Sequence, residues 1–216
     1  MIDVTRTPVA PAAVATGDLR DPEVLRTLHG DFLEKCYLCE SRVTLGGFEV
    51  DHRAPRGEQP SLRHEWTNLF PICEGCNKRR HKTTPPGGLL DPASGDGAIA
   101  SRIEQRIIDR HPHPTRPGFM ALDADDRAAV NTAGELDHIH NDPRSIKAED
   151  LRKAIMEHQR RVFHQCLRYL SGTRSEGERR ELGEHLREML SRRAPFTALT
   201  RAELVSLGPQ ITALFD

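Results

Sequence analysis

A chain of 216 residues, 37% hydrophobic and 29% charged, reads as a soluble, rather polar protein that can hold one large domain or a small domain with an appended one. A net charge of −1 excludes a whole-protein electrostatic trap for nucleic acid, and no run of 18 apolar residues offers a membrane-spanning helix. Residues 1–16 lack a basic segment followed by an apolar one, so a cytoplasmic location is expected rather than secretion.

In chain order, residues 1–17 show no periodicity and are expected to be loosely attached. Asp21-Pro22 is a helix start, and Leu25, Leu28, Phe32 and Leu33 follow at helical spacing. Residues 42–45 and 48–51 alternate apolar and polar around Gly46-Gly47, which predicts a two-residue hairpin. A long polar loop follows, and residues 74–82 read as a short basic helix. The local order is strand, strand, helix. Residues 82–97 are rich in Pro, Gly and Asp and mark a boundary. A helix is expected over 98–110, with a break at 111–118. The spacing predicts a long helix over 148–170, another over 176–193, and a last short one with Thr200 and Glu203 as a capping box.

The chemistry concentrates in the first half. Cys36, Cys39, Cys73 and Cys76 form two Cys-x2-Cys pairs, the spacing that suits one tetrahedral structural zinc. A reducing compartment fits this better than disulfides would. Between the pairs lie Asp51-His52 and Asn68, and Asn77 follows the last cysteine. A neutral imidazole can deprotonate water, and His52 is the candidate. The Asp51 carboxylate and the Asn68 amide oxygen are hard ligands for a divalent cation, most plausibly Mg²⁺. Regular alternation puts Asp51 and His52 on opposite sides, so the strand has to end or bend there for both to serve one phosphate. From Arg53 to Lys82, seven basic residues against three acidic ones leave a local excess of +4, a patch that can hold a phosphate backbone. These residues read as a small metal-dependent nuclease on a zinc-stapled scaffold.

The same positions resemble the HNH endonuclease family and its ββα-metal fold. Fifteen residues separate His52 from Asn68, and eight separate Asn68 from Asn77, as is usual there. The resemblance implies His52 as general base, with Asp51 and Asn68 binding a catalytic Mg²⁺ or Mn²⁺. Asn77 stands where the family often has His, so its own part in metal binding is open, and His81 is a possible substitute. Five phrases follow in order: Cys-Tyr-Leu-Cys-Glu, Asp-His-Arg-Ala-Pro, Glu-Trp-Thr-Asn-Leu-Phe, Cys-Asn-Lys-Arg-Arg and Gly-Leu-Leu-Asp-Pro. They look like the PtuB HNH subunits of the Septu anti-phage system, also found beside some retrons. That resemblance implies DNA as substrate, an ABC-type ATPase (PtuA-like) as partner, and no membrane. The chain has no Gly-x4-Gly-Lys-Ser/Thr loop, so ATP chemistry would come from that partner.

The expected fold is α+β: an N-terminal extension and helix (1–30), a zinc-bound ββα-metal (HNH) module (31–92) and a mostly helical remainder (93–216) with a possible partner-binding surface. The alternatives are a ribonuclease effector, for example one cutting tRNA, and a non-catalytic zinc-stapled module that binds nucleic acid or protein. Other residues have blander readings. Trp66 is expected in the core, and Cys166 as a buried helix cysteine. Arg79, Arg80 and His81 are either solvated or phosphate contacts, the His111/His113 and His138/His140 pairs are loop residues, and His158 and His164 are helix surface or packing residues.

Overall fold

The computed structural model describes residues 1–55, 57–95, 98–109, 115–171 and 175–216. It is a mixed helix and sheet fold of two compact units, one of residues 1–104 with 119–139, the other of 105–118 with 140–216.

In the first unit, α1 (Ala12–Thr16) precedes α2 (Pro22–Asp31), where the Asp21 side chain accepts the Glu23 N–H and Pro22 opens the first turn. α2 buries Val24 and Leu28. The chain leaves it through Leu33 and Glu34, both in the left-handed region (φ 57° and 62°). The N-terminal segment is anchored, contrary to the expectation of loose attachment. The Arg6 guanidinium lies 5.2, 5.1 and 4.8 Å from the rings of Phe32, Trp66 and Phe70, and it donates to the carbonyls of Trp66 and Leu69 at 2.9 and 3.0 Å. Trp66 is core, as expected, and its indole N–H reaches the Thr7 carbonyl at 2.8 Å.

The hairpin across Gly46-Gly47 does not form. Thr44 and Gly47 close a turn, and β1 (Glu49–His52) pairs antiparallel with β2 (Leu69–Ile72) instead. All four β2 residues are buried, so β2 offers β1 an apolar partner that the exposed 44–47 stretch cannot. Pro71 costs no ladder bond. Arg53 N–H donates to the Asn68 carbonyl at 3.0 Å, and alternation from there makes Val50 opposite Pro71 a pair that exchanges no hydrogen bonds. α3 (Glu74–Arg79) follows, so the order strand, strand, helix holds with a different second strand.

Two further expectations change. The helix predicted over 98–110 is short, α4 (Ala98–Arg102), and runs into β3 (Ile103–Ile108), which pairs with β4 (Arg116–Ala121). β-branched Ile103, Ile107 and Ile108 favour the extended chain. The His138/His140 segment is not a loop but part of α5 (Arg127–Asn141), while His111 and His113 lie outside the described residues.

The second unit holds α6 (Ile146–Leu170) and α7 (Glu176–Leu190), close to the two predicted helices, followed by α8 (Thr197–Leu204) and α9 (Pro209–Thr212). Val162, Cys166, Leu186, Leu190, Leu204, Ile211 and Leu214 form its core, which confirms Cys166 as a packing residue. The Thr200 capping box is absent. α8 starts at Thr197, so Thr200 is interior, and Glu203 instead accepts the Ile107 N–H at 2.7 Å. His158 is buried, and burial pushes its imidazole down to about 4, so it packs as a neutral ring. No described helix is long and apolar enough to cross a membrane.

Candidate active site and cysteine centre

The two knuckles bring their four sulphurs together. The Sγ atoms of Cys36, Cys39, Cys73 and Cys76 all lie within 4.8 Å of one another, and Cys39 and Cys73 are 3.8 Å apart. Four thiolates about 2.3 Å from a central zinc form a tetrahedron with edges of about 3.8 Å, so the spacing fits that ion. Local backbone sets the cage. Glu40, at φ 57°, turns the first knuckle back so that its N–H meets the Cys36 carbonyl at 3.0 Å. Cys73 caps α3, its Sγ accepting the Cys76 N–H at 3.4 Å. The ionisation pattern points the same way. Thiol hydrogen bonds from Cys36 and Cys39 drive Cys73 far below the usual thiol range. Burial, first of all, pushes Cys36 up, and bonds to Cys36 and Cys39 push Cys76 up. Four thiols this close can share one negative charge; a dication lets all four ionise.

The proposed catalytic residues lie where β1 ends. His52 is 5% exposed, and its Nε2 is 2.9 Å from the Arg63 carbonyl. A carbonyl only accepts, so Nε2 carries an N–H, and a neutral ring held this way has its basic lone pair on Nδ1. That is the tautomer a water-activating imidazole needs. β1 stops at His52, as the sequence required, yet Asp51 keeps separate partners. Its Oδ2 accepts from the Tyr37 hydroxyl at 2.9 Å and from the Arg80 guanidinium. Both bonds fall on Oδ2, which leaves Oδ1 for a cation. Burial and the nearby Asp51 charge push the Tyr37 phenol well above its usual range, so it remains a donor. Burial pulls the Arg80 guanidinium down, but Tyr37 and Asp51 more than offset it and Arg80 is held charged.

Asn68 is placed differently from the ligand role expected of it. Its Oδ1 accepts the Ala54 N–H at 2.7 Å, and its Nδ2 donates to the carbonyls of Ala54 and Leu62 at 3.0 and 3.1 Å. The amide is spent closing the loop from β1 to β2, with the residue 3% exposed. Asn68→Ala should therefore destabilise the fold by about 2–4 kcal/mol, since it strands buried backbone groups. Thermal unfolding measures this, and an unchanged melting temperature would contradict the bracing role. Asn77, on α3, donates to Glu49 at 2.7 Å and accepts from Lys82 at 3.3 Å. Hence Asp51 keeps one carboxylate oxygen open to a cation, while the Asn68 amide is bonded to the loop between β1 and β2.

Arg80 is neither a solvated residue nor an open phosphate contact. It is 5% exposed, and besides Asp51 it donates to the His52 carbonyl at 3.1 Å, the Arg53 carbonyl at 3.4 Å and its neighbour's carbonyl, His81, at 3.3 Å. One guanidinium thus ties the end of β1 to the end of α3. Nothing in a basic run distinguishes such an arginine from solvated ones; only the paired Asp51 does.

Residues 36–83 match the HNH endonuclease family. The HNH match spans both knuckles, β1, β2 and α3, under a quarter of the chain, and it indicates nuclease activity in general. No curated protein matches the chain.

Proposed function

We propose that this protein is a metal-dependent HNH endonuclease that hydrolyses phosphodiester bonds of DNA, with a structural zinc on Cys36, Cys39, Cys73 and Cys76. The observation that carries this reading is the His52 tautomer, held by the Arg63 carbonyl at the end of β1 inside the matched segment. His52 takes a proton from water through Nδ1 as the water oxygen attacks phosphorus. Arg80 fixes the backbone of His52 and neutralises part of the Asp51 charge. A divalent cation, Mg²⁺ or Mn²⁺, at Asp51 would draw charge from the phosphate oxygens and the departing 3′-oxygen. Lys78, Lys82 and Arg63 are exposed and add a positive surface for the backbone of the substrate.

The phrases shared with PtuB subunits support a more specific role, as the nuclease effector of an anti-phage complex with an ABC-type ATPase. Supercoiled plasmid and a structured RNA, each incubated with Mg²⁺ or Mn²⁺ and with EDTA, test the chemistry. Metal-dependent nicking of plasmid, abolished by EDTA, is expected. Cleavage of RNA alone would overturn the choice of DNA, and no cleavage of either would leave a binding module. Failure of an ABC-type ATPase encoded beside the gene to copurify would remove the defence-complex assignment and spare the nuclease.

A further inference from the structure

Beyond the matched segment, α5 reaches into the site through one carboxylate. Glu135, 7% exposed, accepts the His81 backbone N–H at 3.0 Å with Oε1 and the His81 ring Nδ1 at 2.5 Å with Oε2. The His138 ring backs the His81 ring at 4.5 Å and is itself held by the Arg79 carbonyl at 3.0 Å. The His81 side chain is nonetheless 59% exposed, at the edge of an open cavity of about 400 Å³ lined also by Thr83, Pro85 and Val130. A latch between α5 and the chain after α3 would need only the backbone bond. The second oxygen fixes the ring as well, with Nδ1 turned inward and Nε2 outward. Arg80 binds the backbone carbonyls of both His52 and His81 through different nitrogens, so one guanidinium ties the two backbone segments together.

Resting on the nuclease reading, we propose that His81 is the general acid of the hydrolysis, with Glu135 as the residue that positions it. As the water oxygen bonds to phosphorus, His52 Nδ1 takes the water proton. As the bond from phosphorus to the 3′-oxygen breaks, His81 Nε2 gives its proton to that oxygen and the ring becomes neutral. Solvent then returns a proton to His81 and removes one from His52. The chemistry is symmetrical, base on one side and acid on the other, and it explains why a residue far along the chain is used to orient an exposed imidazole.

A leaving-group substitution tests this in the full-length protein. The linkage that the wild type cuts in a duplex is replaced by one whose bridging 3′-oxygen is sulphur, a group that departs as thiolate without needing a proton. His81→Ala should slow the oxygen linkage about 100-fold and the sulphur linkage less than about threefold. Glu135→Gln should show the same pattern with a loss of about tenfold on oxygen. Because both linkages are read on one preparation, poor folding would lower both alike. Equal losses on oxygen and sulphur, or no loss on oxygen, would overturn the assignment while the nuclease reading stands. A wild type that cuts no duplex at all would overturn both.

Discussion

His52→Ala is expected to lower plasmid cleavage about 10³-fold, near the middle of what a positioned acid or base contributes. The expectation follows from the bond between Nε2 and the Arg63 carbonyl. With Nε2 on the Arg63 carbonyl, Nδ1 carries the lone pair, and alanine has nothing to take the water proton. Alanine also leaves that carbonyl without its donor in a nearly closed site, a loss of about 1–3 kcal/mol that a melting curve would register. His52→Gln separates the two effects, because an amide N–H can still reach the carbonyl while no base is supplied. It should melt close to wild type and be equally inactive. Full cleavage by a folded Gln variant would remove His52 from the chemistry and leave the module as a scaffold.

Cys73→Ser should cost the most in stability. Serine keeps the size and the cap of α3 but withdraws one of four converging sulphurs, the one whose thiol the neighbouring cysteines hold far below its usual range. If the cage holds zinc, metal binding and folding are one free energy, about 10 kcal/mol or more in small zinc modules at neutral pH. The variant should contain little zinc by elemental analysis, unfold far below the wild type and partition into the insoluble fraction. Cys166→Ser is the control, since Cys166 packs in the core of the second unit and should leave the zinc content at one per chain. A Cys73→Ser protein with wild-type melting and zinc would show that the four sulphurs do not depend on a shared ion.

Much of the site was legible because its signals are local. Cys-x2-Cys spacing fixes a knuckle within four residues, Asp21-Pro22 starts α2, and the apolar spacing of Leu151, Ile155 and Val162 marks α6. Gly46-Gly47 misled for a physical reason. A turn sequence supplies only permission to reverse, and the buried run of β2 outcompetes an exposed hairpin arm for β1. Likewise Asn68 offers the same amide to a cation or to a backbone, and only the closed β1–β2 loop shows which takes it.

What the sequence by itself determined is the kit of parts: four thiols in two pairs, an imidazole next to a carboxylate, and a helical C-terminal third. Tertiary structure alone decided which proton His52 carries, which arginine of a basic run is buried against Asp51, and that Glu135, more than fifty residues away, grips His81. Spacing along a chain records partners within a turn or two. Hydrogen bonds that fix a tautomer or compensate a buried charge join segments whose separation in sequence carries no trace of their contact.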